Sequence, residues 1–276
     1  MNKTKSALSY FGSDSEVAAS LASMLSHCKH VTIPFVGGAS ILPYLQARAI
    51  VANDLNDLAI NFYRVMSDVY SNRDALISRC ETTLSHPSEI TNAITIIADP
   101  AASNLDKAWA YWAQCWIGRK GKGGTDAPAT MPSVRRTADG GNNATRIRSV
   151  ATDLRFWAMQ FERCEWESVC FRKLLPKVAD VPACGVYCDP PWVDAGDAYL
   201  HKFEFKDHVD LSLCLSRFQQ ATVLVRYGDH PLVRDYYGKL GWEIIDASSR
   251  DQTNTIKGEL WITNRNLLPK VSGVLS

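Results

Sequence analysis

Four short runs of apolar and β-branched residues constrain the fold of this 276-residue chain more than any other feature. Each run gives way to a loop and then to helical periodicity, which is typical of strands in a parallel sheet. The first run opens the segment HVTIPFVGGAS at His30, and the others are Ala49–Ala52, Gly185–Cys188 and Thr222–Arg226. The sequence therefore predicts an α/β fold.

Further helices and strands are predicted on either side of a central segment. The predicted helices are Ser15–Leu25, one that begins near Ile41, Val150–Arg163 and Lys206–Gln219. One more strand is predicted over Trp166–Phe171. The closing strands, Trp242–Ala247 and Glu259–Thr263, are spaced as a β-hairpin.

The centre of the chain differs from the predicted sheet in composition. Residues 62–116 have a helical and aromatic pattern. Residues 117–148 are rich in glycine and carry seven basic and two acidic residues, a surplus of 7 − 2 = +5 against +1 for the whole chain. Such a segment either binds a polyanion or is a solvated loop without a partner. Its candidate phosphate-binding side chains are Arg119, Lys120, Lys122, Arg135 and Arg136. We therefore predict a sheet domain in two parts, 1–61 and 149–276, around a helical and basic insert, 62–148.

Composition argues against several classes of protein. With 46% apolar and 21% charged residues the chain has ordinary globular usage, and no apolar run approaches the length of a membrane span. The eight cysteines include no CxxC pair, and the six histidines lack the spacing of metal ligands. We therefore expect reduced thiols and no metal site. The opening residues lack the apolar segment of a signal peptide, which predicts a cytoplasmic protein.

Two glycines follow the first predicted strand. Gly37 and Gly38 leave bare backbone beyond the carboxyl end of that strand, where ligands bind in α/β sheets. Asp54 ends the next strand, where nucleotide-binding folds place a carboxylate against ribose hydroxyls. The alternatives are a tight turn without a ligand, and a helix cap provided by Asn53 or Asp54.

The sharpest motif is Asp189-Pro190-Pro191-Trp192, directly after an apolar strand. Two prolines give a stiff loop with few amide donors, and Asp189 adds a carboxylate acceptor beside the aromatic face of Trp192. This combination suits a planar amine such as a nucleobase turned out of a duplex. The alternative is a rigid turn with a tryptophan that belongs to the core.

Together these segments resemble the Dam-type (DNA adenine methylase) N6-adenine-specific DNA methyltransferases, in a variant with a DPPW motif. The resemblance rests on YFGS from Tyr10, PFVGGAS, NDLNDLAINFYR and YCDPPW in that order, and it continues to the closing GELWITN. It covers nearly the whole chain and is poorest between Arg73 and Ser149. It implies a Rossmann-like, S-adenosylmethionine-dependent methyltransferase sheet with a C-terminal β-hairpin and an inserted helical target-recognition domain. It also implies an enzyme that acts on double-stranded DNA in a bacterial or phage-infected cell.

The resemblance implies roles for individual residues as well. The positions that match the cofactor-binding residues of the family are Tyr10, Phe35, Gly37, Gly38 and Asp54. Asp189 to Trp192 match its catalytic motif, and Asp189 is expected beside the cofactor too. Asp14 stands where the family usually has a lysine near the cofactor. Activity on RNA or with an altered donor, or a catalytically silent DNA-binding relative, therefore remains an alternative.

Overall fold

Seven strands form a single mixed sheet in the structure, a computed structural model that describes residues 6–10, 17–118, 123–125, 142–193, 200–250 and 256–265. The strands are β1 (His30–Ile33), β2 (Ala49–Asn53), β3 (Cys164–Glu167), β4 (Cys184–Cys188), β5 (Thr222–Gly228), β6 (Glu243–Arg250) and β7 (Ile256–Thr263). Their order in the sheet is β3-β2-β1-β4-β5-β7-β6. Strands β1 to β5 are parallel, whereas β7 is antiparallel to both β5 and β6.

Helices cover both faces of the sheet. In the described ranges they are α1 (Ala18–Met24), α2 (Asp57–Ser67), α3 (Arg73–Thr82), α4 (Pro87–Ala98), α5 (Asn104–Ile117), α6 (Asn143–Phe161), α7 (Phe171–Leu174), α8 (Phe205–Ser216) and α9 (Pro231–Lys239). Successive strand residues point to opposite faces. Tyr187 and Leu224 therefore pack with the cluster that contains α2 to α6, whereas Val186 and Val223 pack with the cluster that contains α8 and α9.

The strand order reverses between β1 and β4. From β1 the sheet grows outward through β2 and β3, and from β4 it grows in the other direction through β5. Loops diverge at such a point and leave a crevice beyond the carboxyl ends of the strands. The glycine loop after β1, Asp54 after β2 and the DPPW loop after β4 therefore meet at one edge.

The predicted α/β fold with its C-terminal hairpin is confirmed, but several local predictions are wrong. The helix expected near Ile41 is a single 3₁₀ turn, Leu42–Tyr44, that contains Pro43. The strand expected over Trp166–Phe171 is β3, which ends at Glu167. It ends there because the side chain of Asn53 accepts a hydrogen bond from the backbone N–H of Val169, and α7 begins two residues later.

Helix α6 begins well before the Val150 start that the sequence predicted. Asn142 caps it by accepting a hydrogen bond from the backbone N–H of Thr145 at 2.8 Å. Arg146, counted among the basic residues of the insert, donates to the carbonyl of Trp116 at 2.6 Å, and its guanidinium lies 5.7 Å from the centre of the Trp116 ring. Arg146 therefore joins α6 to α5, and the predicted loop over 117–148 is helical from Asn143.

The helices of the predicted insert share a core with the helices beside them. Helix α5 packs against α2, α3 and α4, and its tryptophans Trp109 and Trp112 are buried. The division into 1–61, 62–148 and 149–276 stays a prediction. Within the described ranges, no helix combines the length and the apolar character needed to cross a membrane.

Candidate functional site

A cavity of about 270 Å³ lies at the point where the strand order reverses. The loops after β1, β2, β3 and β4 line it, together with Tyr10, Gly124 and the segment Leu200–Phe203. Six residues that the family resemblance assigns to cofactor binding line this one cavity: Tyr10, Phe35, Gly37, Gly38, Asp54 and Asp189. The fold thus brings together residues that are separated by up to 179 positions in the chain.

The glycine loop is fixed by hydrogen bonds at both sides of Gly37. Its N–H donates to Oδ2 of Asp54 at 2.9 Å, and its carbonyl accepts from the hydroxyl of Tyr63 at 2.5 Å. Gly37 has φ +48°, the left-handed region that glycine adopts without strain. The loop therefore presents backbone to the cavity in a single, held conformation.

Asp54 holds two loops and is not a helix cap. Its second oxygen, Oδ1, accepts from the backbone N–H of Asn56 at 3.0 Å, and α2 is capped by Asn56 through the N–H of Ala59. Burial raises the pKa of Asp54, while the N–H groups of Asn56 and Gly37 and the charge of His201 lower it. Each carboxylate oxygen can accept more than one hydrogen bond, so Asp54 retains acceptor capacity toward the cavity.

Asn53, the other cap candidate, joins the ends of three strands. Its amide donates to the carbonyls of Pro34 at 2.8 Å and Val169 at 2.9 Å, and its oxygen accepts from the N–H of Val169 at 2.9 Å. Asn53 is buried, with 1% of its surface exposed. This role could not be predicted from the sequence, because it depends on contacts with residues 19 and 116 positions away in the chain.

Tyr10 packs between the glycine loop and a pair of glycines from the central segment. A Cβ at Gly124 would lie 2.5 Å from the Tyr10 ring, and one at Gly37 would lie 3.5 Å from it. Gly123 donates its N–H to the carbonyl of Ser9 at 2.8 Å, so Gly123 and Tyr10 pair as a parallel bridge. Burial and the charge of Asp54 raise the pKa of Tyr10 well above its usual value, which keeps the phenol neutral.

Three phenyl rings form one wall of the cavity. The ring centre of Phe35 lies 5.7 Å from that of Phe171 and 5.7 Å from that of Phe203, and Phe171 and Phe203 are 5.9 Å apart. Of the three residues, the sequence predicts a cofactor contact only for Phe35, and it predicts Phe171 as the last residue of a strand. Together the three rings offer an apolar wall on which a planar ligand can pack.

Asp189 lines the cavity and pairs with a buried arginine. Nη1 of Arg226 in β5 donates to Oδ2 of Asp189 at 3.1 Å. Burial and the charge of Glu259 raise the pKa of Asp189, whereas Arg226 and a hydrogen bond from Trp192 lower it. Arg226 and Glu259 were not predicted as site residues. The available signal was a charged residue inside each of the apolar runs VLVRY and GELWI.

The rest of the DPPW loop divides between cavity and core. Pro190 is buried, and Pro191 lines the cavity. Trp192 is half-buried against β5: a Cβ at Gly228 would lie 2.5 Å from its ring, and the Arg226 guanidinium lies 5.6 Å from its ring centre. Trp192 thus occupies a place that only glycine at position 228 leaves open.

Several predicted site residues fall outside the part of the chain that the structure describes. They are Asp14, Arg119, Lys120, Lys122, Arg135 and Arg136. His201, one of the six histidines that lack the spacing of metal ligands, lines the cavity. Across the described ranges, no group of three or more His, Cys, Asp or Glu side chains is arranged to hold a metal ion.

The sheet order, the glycine loop and the cavity at the reversal of strand order define a Rossmann-like methyltransferase fold. Residues 10–94 match the family model of the D12 class N6 adenine-specific DNA methyltransferases. Over these residues, which hold Tyr10, the glycine loop and Asp54 but not the DPPW motif, the match confirms the predicted resemblance to the Dam-type family and supports an N6-adenine DNA methyltransferase. No curated protein matches the chain in sequence.

Proposed function

We propose that this protein is a site-specific, S-adenosylmethionine-dependent DNA methyltransferase that methylates the N6 amino group of an adenine turned out of the duplex. The observation that carries the proposal is the convergence of Asp54, the Gly37 loop and Asp189 on one cavity. A ribose-type carboxylate and an amine-type acceptor at one sheet edge suit a reaction between a nucleoside cofactor and a base.

The residues of the cavity fit S-adenosylmethionine, which supplies a methyl group on a positively charged sulfur. Asp54 has acceptor capacity for the ribose hydroxyls, and the rings of Phe35, Phe171 and Phe203 suit a planar purine. Tyr10 and the glycine loop, including Gly38, would hold the methionine part. Asp14 remains a cofactor-binding proposal that rests on the family resemblance alone.

The DPPW loop would bind and orient the target adenine. Asp189 and the carbonyl of Pro190 accept hydrogen bonds from the amino group, and Trp192 offers a stacking face, with Pro191 keeping the loop stiff. The lone pair of an adenine amino group is delocalised into the ring. Two acceptors favour a more tetrahedral nitrogen and stabilise the positive charge that develops on it as the new bond forms. Positioning of the two reacting atoms supplies much of the remaining acceleration.

The partner in this proposal is double-stranded DNA, bound by the insert 62–148 as a target-recognition region. The +5 surplus of residues 117–148 supports it, because phosphate contacts supply most of the affinity of proteins for DNA. Arg119, Lys120, Lys122, Arg135 and Arg136 are the proposed contacts.

The test is transfer from S-adenosylmethionine with a deuterated methyl group, followed by mass spectrometry of digested nucleosides. Matched reactions contain double-stranded DNA or RNA, and Asp189→Ala serves as the inactive control. We expect labelled N6-methyldeoxyadenosine from DNA alone. Label in RNA, or cofactor binding by calorimetry without transfer to either nucleic acid, would overturn the proposal.

A further inference from the structure

Three charged side chains meet beneath the DPPW loop. Arg226 and Glu259 have 4% and 0% of their side-chain surface exposed, and Asp189 has 24%. Bringing such charges out of water is unfavourable unless they pair closely. A buried ion pair is often no more stabilising than apolar residues of the same volume, so its presence beside the site calls for a role other than stability.

The contacts form a chain that runs from the hairpin to the cavity. Nε and Nη2 of Arg226 donate to Oε1 and Oε2 of Glu259 at 2.9 and 2.8 Å, a two-point contact that fixes the guanidinium plane. The indole N–H of Trp261 donates to Oε1 of Glu259 at 2.7 Å. Nη1 of Arg226 then reaches Oδ2 of Asp189 at 3.1 Å.

Glu259 makes the net charge of the cluster negative. Asp189 and Arg226 alone sum to zero, whereas Asp189, Arg226 and Glu259 sum to −1. A neutral pair would give little stabilisation to an amine that becomes positively charged, and an unpaired Asp189 would be more readily protonated after burial. Arg226 thus favours the ionised form of Asp189, and with Glu259 present that form gives the site a net negative charge.

We propose that Arg226 and Glu259 are positioning residues for methyl transfer, with Glu259 fixing Arg226 and Arg226 orienting the Asp189 carboxylate in its ionised form. This inference rests on the proposed function, because it assigns Asp189 to the target amine. It requires that the two residues shift the ionisation of Asp189 in opposite directions.

Three other titratable groups on the neighbouring strands interact with Asp189. They are the Tyr187 phenol and Cys188 thiol of β4 and the Tyr227 phenol of β5. Burial raises the pKa of each of these three groups, so each stays protonated. Burial is the largest cause of the raised pKa of Asp189, and Arg226 and Glu259 are the charged residues that act on it, in opposite directions. Five further acidic or basic side chains line the same cavity: Asp54, Arg172, His201, Lys202 and Asp207.

The first experiment records kcat/KM against pH for single variants. An opposite charge at this distance lowers a carboxyl pKa by about 1–3 units, so Arg226→Gln should move the acid limb of the profile up by about that amount. Glu259→Gln should move the limb down and lower kcat by about 100-fold, the scale of electrostatic contributions at active sites. Arg226→Lys keeps the charge and should restore part of the profile. Asp246→Asn removes a carboxylate from the same hairpin, paired with Arg234, and should leave the profile unchanged.

A second variant covers the case in which the single changes fail to fold. Arg226→Met with Glu259→Leu replaces the buried pair by apolar residues of similar volume, a change that proteins commonly tolerate. We expect this double variant to unfold at nearly the wild-type urea concentration and to lose about 100-fold or more in kcat. Near-wild-type transfer by a stable double variant would overturn the inference and leave the pair with a structural role only.

Titration of Asp189 by carbon-13 carboxyl NMR separates this inference from the proposed function. If wild-type protein transfers no methyl group to adenine, the proposed function fails. The NMR titration still decides whether Arg226→Gln raises, and Glu259→Gln lowers, the pKa of Asp189. Shifts in the same direction, or no shift in either variant, would refute the inference even in an active enzyme.

Discussion

Asp54 and Asp189 are both carboxylates at the ends of strands, but they have different hydrogen-bond and ion-pair partners and therefore different expected roles. Asp54 accepts from the backbone of two loops, and Asp189 pairs with a buried cation. Asp54→Ala should therefore weaken S-adenosylmethionine binding by about 10–100-fold, since two buried N–H groups lose their acceptor. Asp189→Ala should abolish transfer while cofactor affinity stays within about threefold. Calorimetry and transfer rates on both variants, with exposed Asp57→Ala as control, check the division, and equal loss of cofactor affinity in both would contradict it.

The neutral residue next to Asp54, Asn53, joins the ends of three strands. Replacement by alanine removes three hydrogen bonds, one to the buried carbonyl of Pro34 and two to the half-buried backbone of Val169. We expect Asn53→Ala to lower the free energy of unfolding by about 3 kcal/mol, measured by urea denaturation. Asn61→Ala, which removes a single exposed hydrogen bond, should cost less than about 1 kcal/mol. A similar cost at the two positions would argue against a special role for Asn53.

At the scale of elements, the segment Gly123–Thr125 links the insert to the cavity. Gly123 pairs with the Tyr10 strand segment, and the carbonyl of Gly124 accepts from the N–H of Leu200 at 2.9 Å. Gly124 has φ +81°, and its Cβ would overlap the Tyr10 ring. Gly124→Ala should therefore displace Tyr10 and weaken cofactor binding by about tenfold or more, measured by calorimetry. The control is Gly238→Ala, which meets no atom within 4 Å on helix α9 and should leave affinity unchanged.

Some of the elements could be predicted from the sequence and others could not. Strands β1, β2, β4 and β5 were predictable because each is a short apolar run that ends in a motif, and the loop motifs follow from where parallel strands end. The end of β3 was not predictable from the sequence, because a hydrogen bond from Val169 to Asn53, which lies in another strand, determines it. Glu259 and Arg226 could not be predicted as site residues for a similar reason. Their contact depends on the β5–β7 register, which pairs Gly228 with Glu259 and is set by the whole sheet.

At the scale of the whole molecule, positive charge is concentrated in one segment of the sequence. The chain carries +1 overall, whereas residues 117–148 carry +5, so the other 244 residues sum to 1 − 5 = −4. A polyanion would be repelled by most of the molecule and attracted by one segment. Because Gly123–Thr125 belongs to that segment and contacts Tyr10, we expect binding of a polyanion to the segment to be linked to the shape of the cavity.

Salt dependence is the measurement that isolates this segment. Replacing Arg135 and Arg136 with alanine removes two proposed phosphate contacts, each of which contributes about 0.9 to the slope of log affinity against log salt concentration. We expect the slope to flatten by about 1.8, with the loss of affinity greatest at low salt. Lys177→Ala with Lys239→Ala is the matched control, because both lysines are exposed, paired with carboxylates and outside the insert. If the control pair flattens the slope as much as the arginine pair, the affinity for DNA depends on the net charge of the protein and not on contacts made by the insert. If neither pair changes the slope, the two arginines do not touch the DNA backbone.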